Sequence, residues 1–224
     1  MPKFFWADPP GQRAFPVAKA GVPLIAGGAF VTAVFALLEL TAPALFALFA
    51  TGCVCAFFRD PDRAIPATPG AVVSPADGKV VFAEQVTDCP FLDGPRLKLS
   101  VFMTVFNVHV NRIPVTGTVE SVHYHPGKFV SANLDKASRE NEHNAVIVQP
   151  DEGKPICYVQ IAGLVARRII SWVQPGDHLV RGQRCGLICF GSRLDVYLPP
   201  DARAAVAVGE KVKAGTSILG YLPE

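Results

Sequence analysis

The run Leu97-Lys98-Leu99-Ser100-Val101-Phe102-Met103-Thr104-Val105-Phe106-Asn107-Val108-His109-Val110 decides the fold class. It is dense in valine, leucine and phenylalanine, the residues that fit a pleated, half-buried surface. Shorter runs of the same texture follow: Lys79 to Phe82, Ala145 to Val148, Cys157 to Val165 and Leu187 to Phe190. Pro, Gly and Asp separate them, which is strand patterning with turn punctuation. Residues 64–224 therefore read as a mainly β domain, with a few helical turns expected from Asn133 to Glu142, where polar residues dominate.

A weak internal similarity refines this. Gln174-Pro175-Gly176-Asp177-His178-Leu179-Val180-Arg181-Gly182-Gln183 resembles Val208-Gly209-Glu210-Lys211-Val212-Lys213-Ala214-Gly215-Thr216. Both place glycines at turns flanking a short strand. Lipoyl- and biotin-carrier domains have similar turns, so a barrel-like or sandwich-like domain with lipoyl-like turns is expected. Val212-Lys213-Ala214 lacks the neighbours of a modified carrier lysine, which favours structural turns over a carrier.

Upstream the texture is different. Ala20 to Leu38 and Leu40 to Phe58 are uncharged, and Glu39 alone separates them. Each segment approaches the roughly 20 residues that cross a bilayer. A carboxylate at mid-bilayer is costly, so Glu39-Leu40-Thr41-Ala42-Pro43 reads as the break of a helical hairpin within residues 1–63. Lys3, Arg13 and Lys19 precede the hairpin, and Arg59 and Arg63 follow it. By the positive-inside rule both ends and the β domain face the cytoplasm, at the inner membrane of the cell.

The 224 residues carry a net charge of +2, and no basic stripe interleaved with aromatics occurs, which argues against nucleic acid as a partner. The six cysteines form no CxxC pair, and Cys53, Cys55, Cys157, Cys185 and Cys189 lie in apolar or strand-like runs, so they read as small buried hydrophobes in a reducing compartment, with no metal site.

Several stretches could carry chemistry. In Cys189-Phe190-Gly191-Ser192-Arg193-Leu194-Asp195-Val196-Tyr197-Leu198-Pro199, a Gly-Ser pair stands between two strand-like runs. Ser74-Pro75-Ala76-Asp77-Gly78 presents a carboxylate at a turn, and by itself is no more than an Asp-Gly turn. His109 lies in an apolar strand, where a histidine is more often a core residue than a catalyst. Glu140-Asn141-Glu142-His143-Asn144 reads as a solvated polar loop, and Arg167-Arg168 as a surface or headgroup-facing pair.

Together, the hairpin, Phe57-Phe58-Arg59-Asp60-Pro61, Ser74 to Gly78, the His109 strand, Gln160 to Arg168 and Phe190 to Pro199 resemble the shorter, archaeal-type branch of the phosphatidylserine decarboxylases. The resemblance implies a proenzyme that cuts itself between Gly191 and Ser192 into a large chain, 1–191, and a small chain, 192–224. These remain together as a heterodimer. Ser192 becomes a pyruvoyl group, the cofactor, which forms a Schiff base with phosphatidylserine and accepts electrons as carbon dioxide leaves. His109 is the implied base, oriented by Asp77 in a triad-like arrangement. Arg112 stands where the longer bacterial form has a second histidine, which leaves His123 and His125 as substitutes. Arg167 and Arg168 are the implied contacts to anionic lipid at the membrane. A serine hydrolase using Ser192, and a non-catalytic carrier, are the alternatives. No Gly-x-Ser-x-Gly elbow surrounds Ser192.

Overall fold

The computed structural model describes residues 4–5, 16–127, 141–163, 168–189 and 191–223. Two compact units form: a helical one within Gly11–Asp62, and a β-rich one of Arg63–Glu224 with Met1–Pro10.

In the helical unit a 3-10 turn, Lys19–Gly21, leads into α1 (Val22–Leu37), and α2 (Thr41–Phe57) returns beside it. The expected break falls at Glu39, which adopts a positive φ of 58° and closes α1 in a left-handed cap. Both helices lack a polar face. Phe30, Phe46 and Phe49 are exposed, and the hydroxyls of Thr32 and Thr51 bond back to the carbonyls of Gly28 and Ala47 at 2.8 and 2.7 Å. Polar side chains that satisfy themselves within their own helix suit an apolar solvent. Lys19–Leu37 has the length and apolarity to cross a membrane, and α2 is shorter.

The strands of the β unit, in chain order, are β1 (Phe4–Phe5), β2 (Ile65–Pro66), β3 (Ala71–Val73), β4 (Gly78–Val86), β5 (Arg96–Met103), β6 (Val110–Arg112), β7 (Gly117–His125), β8 (His143–Pro150), β9 (Ile156–Ala162), β10 (Ile169–Ser171), β11 (His178–Leu179), β12 (Arg184–Ile188), β13 (Ser192–Leu198), β14 (Arg203–Ala204), β15 (Lys211–Val212) and β16 (Ile218–Tyr221). An antiparallel sheet of order β11-β7-β8-β9-β13-β5-β4-β15 dominates, and β10-β12-β6 and β14-β16-β3 form two smaller sheets. The mainly β expectation is met. Because side chains alternate across a pleat, Leu99, Val101, Val146, Tyr158, Leu194 and Val196 fill the main core on one face of the large sheet. Ala145, Val159, Ile161 and Tyr197 form a second cluster on the other.

The run Leu97 to Val110 is not one strand. Asn107 Oδ1 accepts from the Thr104 N–H and hydroxyl, both at 2.8 Å, and locks a turn that leaves Val105 and Phe106 exposed. The chain thereby leaves the large sheet at Met103 and enters the β10-β12-β6 sheet at Val110, with His109 at the crossing. The helical turns expected from Asn133 to Glu142 fall largely outside the described residues; Asn141 and Glu142 are not helical.

The two similar turns occupy equivalent places. Gly209 N–H and Glu210 O bracket Val80 of β4, and Gly176 N–H and Asp177 O bracket Val119 of β7 in the same manner. Gly215 donates to Ser74 O, and Gly182 donates to Ile113 O. Ser74-Pro75-Ala76-Asp77-Gly78 thus corresponds to Ile113-Pro114-Val115-Thr116-Gly117. Asp77 Oδ1 accepts from Ala214 N–H at 2.7 Å, where Thr116 Oγ1 accepts from Arg181 N–H at 3.1 Å.

Candidate active site

Ser192 opens β13 and lies fully buried between Met103 of β5 and Ala162 of β9, its register partners. It shares a face with Leu194 and Val196, so its hydroxyl points into the main-core side of the sheet. There it donates to Met103 Sδ at 3.3 Å. A thioether is a weak acceptor, so the hydroxyl is held without being deactivated. Gly191 has φ +67°, and an added Cβ would meet nothing within 4 Å. Backbone conformation, not crowding, selects glycine here. A left-handed L-residue costs about 1–2 kcal/mol.

His109 is fully buried, and its carbonyl accepts from the Ile188 N–H at 3.4 Å. It precedes Asn111 by two residues, the spacing that puts side chains of an extended chain on one side, and Asn111 lies against Met103 and Gln160. His109 therefore sits on the Ser192 side of the large sheet. His123 and His125 do not. They pair with Ala145 and His143, on the face opposite Ser192, and His125 stacks on His143 with ring centres 5.0 Å apart.

Asp77 comes to the same end of the fold, because Lys79 pairs with Phe102 and Gly78 therefore abuts the end of β5. Its carboxylate has partners other than the one expected. Arg63 Nη2 binds Oδ1 and Oδ2 at 3.2 and 2.9 Å, and Ala214 N–H binds Oδ1. Arg63, the stronger cation, takes the carboxylate. Arg112 donates from Nη1 to Gly182 O at 2.8 Å and serves the turn.

Arg168 is exposed, and its carbonyl accepts from the Cys189 N–H at 3.1 Å, two residues ahead of Gly191. Burial pushes the Cys189 thiol up, and the nearby Arg168 charge offsets this in part. Arg167 lies outside the described residues.

The sequence reading missed three amides. Asn144, Gln160 and Asn111 form a buried chain beside Ser192, with Asn144 Nδ2 donating to Gln160 Oε1 at 3.1 Å and Gln160 Nε2 to Asn111 Oδ1 at 2.9 Å. Gly186 of β12 makes room for it, since a Cβ there would press on Gln160 Nε2 at 2.8 Å. Gln160, a lone amide in an apolar run, was the available signal. A cleft of about 550 Å³ bordered by Glu152, Asp201, Arg203 and Tyr221 lies beyond the opposite end of β13. Among the described residues no group of three His, Cys, Asp or Glu side chains could hold a metal.

A family model described as phosphatidylserine decarboxylase matches residues 50–220. A "phosphatidylserine decarboxylase proenzyme" of Desulfotalea psychrophila is 47% identical over 211 residues, covering 94% of this chain and 99% of that one. Proteins of the same name from Cupriavidus taiwanensis and Syntrophus aciditrophicus are 52% identical over 210 residues and 50% over 206. These alignments cover 92% and 91% of this chain, and 95% and 96% of the relatives.

Proposed function

The chain belongs to the phosphatidylserine decarboxylase family of carboxy-lyases, and we propose that it converts phosphatidylserine to phosphatidylethanolamine after cutting itself between Gly191 and Ser192. The observation that carries the cleavage site is the buried Ser192 hydroxyl, donating to a thioether, directly after a glycine at φ +67°. In this reading Ser192 Oγ adds to the Gly191 carbonyl carbon, and the C–N bond gives way to an ester as the proton passes to the freed nitrogen. His109, the histidine on the Ser192 side, removes the Ser192 α-proton. The Cβ–Oγ bond breaks, and Gly191 leaves as a carboxylate. Residue 192 tautomerises, takes up water and releases ammonia.

The pyruvoyl group so formed supplies a ketone next to an amide carbonyl, an electron sink for decarboxylation. The chain's own residues do the rest. His109 returns a proton to the reacting carbon, and exposed Arg168 meets the lipid phosphate. Asp77 anchors the Ser74–Gly78 turn, whose Pro75 carbonyl receives the Arg112 N–H at 2.9 Å, and so positions the His109 segment.

Intact-mass analysis of the purified protein tests the reading. It should give two chains, 1–191 and 192–224, summing to the precursor plus one water minus one ammonia. Both should elute together under native conditions, because β13 pairs along its length with β5 and β9 of the large chain. One uncut, active chain would sink it.

The helical unit is proposed to anchor the enzyme at the inner membrane with the β unit in the cytoplasm. Protease added to sealed, inside-out vesicles should then degrade the β unit, and full protection would reverse the assignment.

A further inference from the structure

The amide chain beside Ser192 has a direction. Asn144 gives its N–H to Gln160, Gln160 gives its N–H to Asn111, and each oxygen faces back toward Asn144. Asn111 is therefore held with its own NH2 forward. That NH2 ends on Met103 Sδ at 3.9 Å, the same sulfur that receives the Ser192 hydroxyl at 3.3 Å. All three amides are buried, Asn111 completely. Among the described residues its partner is a thioether at long range. A buried N–H given so poor an acceptor is out of keeping with its setting, unless a better acceptor arises during the reaction.

Ser192 Oγ becomes that acceptor. Negative charge develops on it when its proton is withdrawn for attack on Gly191. The charge returns to the same oxygen when the Cβ–Oγ bond breaks and Gly191 departs as a carboxylate. We propose that Asn111 is a catalytic hydrogen-bond donor to Ser192 Oγ in both steps of self-cleavage, and that Gln160 and Asn144 are positioning residues that hold its amide donor-forward. Asn111 lends a hydrogen bond and gives up no proton. The inference rests on cleavage at Gly191-Ser192.

The test follows the cleavage half-time of freshly made precursor on denaturing gels. Asn111→Asp keeps the shape and replaces the donor by an acceptor, and Asn111→Leu removes the polar group altogether. Both should lengthen the half-time about a hundredfold, the loss typical of a preorganised donor to a developing oxyanion. Gln160→Glu offers Asn111 an acceptor, turns its amide around, and should slow cleavage comparably. Combined with Asn111→Asp it should add little, because the donor is already gone; a purely structural role for Gln160 would make the two effects multiply. Thermal unfolding of each change in a Ser192→Ala background reports whether the fold survives. Folded Asn111→Asp and Asn111→Leu proteins that cleave within threefold of the parent overturn the role of Asn111. A parent that never cleaves instead overturns the reading on which it rests.

Discussion

Ser192→Ala is expected to leave a single full-length chain without decarboxylase activity. The change removes one oxygen from a fully buried position, and that oxygen's hydrogen bond runs to a sulfur. Loss of so weak a bond, and a cavity smaller than a methyl group, costs about 1 kcal/mol or less. For a domain of this size that lowers Tm by about 2–4 °C. The seven register pairs of β13 with β5 are backbone pairs and do not use the side chain. The fold therefore persists while the chemistry stops. Without Oγ nothing exchanges the Gly191 amide for an ester, and without the ester no leaving group exists at Cβ. The effect on activity should be total, as distinct from the partial loss of a binding-site variant. Denaturing electrophoresis and carbon dioxide release from headgroup-labelled phosphatidylserine would check it together. A Ser192→Ala protein that still divides, or still releases carbon dioxide, would refute the assignment of residue 192.

Much of this architecture was legible because strands and turns are local. The valine-rich runs became β4, β5, β8 and β9, the Glu39 break became the hairpin turn, and the two glycine turns became equivalent structures at Val80 and Val119. Readings failed where a side chain acted on the backbone or where register decided. The Thr104–Asn107 turn, which the Asn107 side chain helps to close, divides Leu97–Val110 into two strands in different sheets. Asn111, Gln160 and Asn144 each look like an isolated polar residue. They meet only because β6 packs against the face that β8 and β9 share, 49 residues separating Asn111 from Gln160. Asp77 carries Arg63, 14 residues upstream, on both of its oxygens, a partner that the Ser74–Gly78 motif does not announce.

The largest stability loss should come from Asp195→Ala. Asp195 is fully buried on the face of β13 opposite Ser192. Arg193, two residues earlier on the same face, binds it from Nε at 2.8 Å and Nη2 at 3.1 Å, and Lys98 from the neighbouring strand reaches it at 3.2 Å. Two cations share one carboxylate in a space closed by apolar and aromatic side chains, with Lys98 Nζ 5.4 Å from the centre of the Phe82 ring and 5.5 Å from that of Tyr197. Removing the carboxylate takes away the partner that Arg193 and Lys98 share. Breaking a buried ion pair from one side costs about 3–5 kcal/mol, a large share of a domain's total of about 5–15 kcal/mol. In a Ser192→Ala background, where cleavage does not intervene, Tm should fall by about 10 °C. Asp195→Asn keeps the acceptor geometry and should fall between. Replacing Lys98, Arg193 and Asp195 together by Met, Met and Leu removes the charges as a set and should restore most of the loss, since apolar packing often matches a buried ionic cluster. A single Asp195→Ala change that moves Tm by less than 2 °C would show that water reaches this face of β13. The same strand supplies Ser192 at its first position, so in the cleavable chain Asp195→Ala should also slow cleavage, and the triple replacement should recover it. Recovery of both Tm and cleavage would mean that the charges hold the strand straight; recovery of Tm alone would mean that Arg193 or Lys98 also acts on the scissile bond.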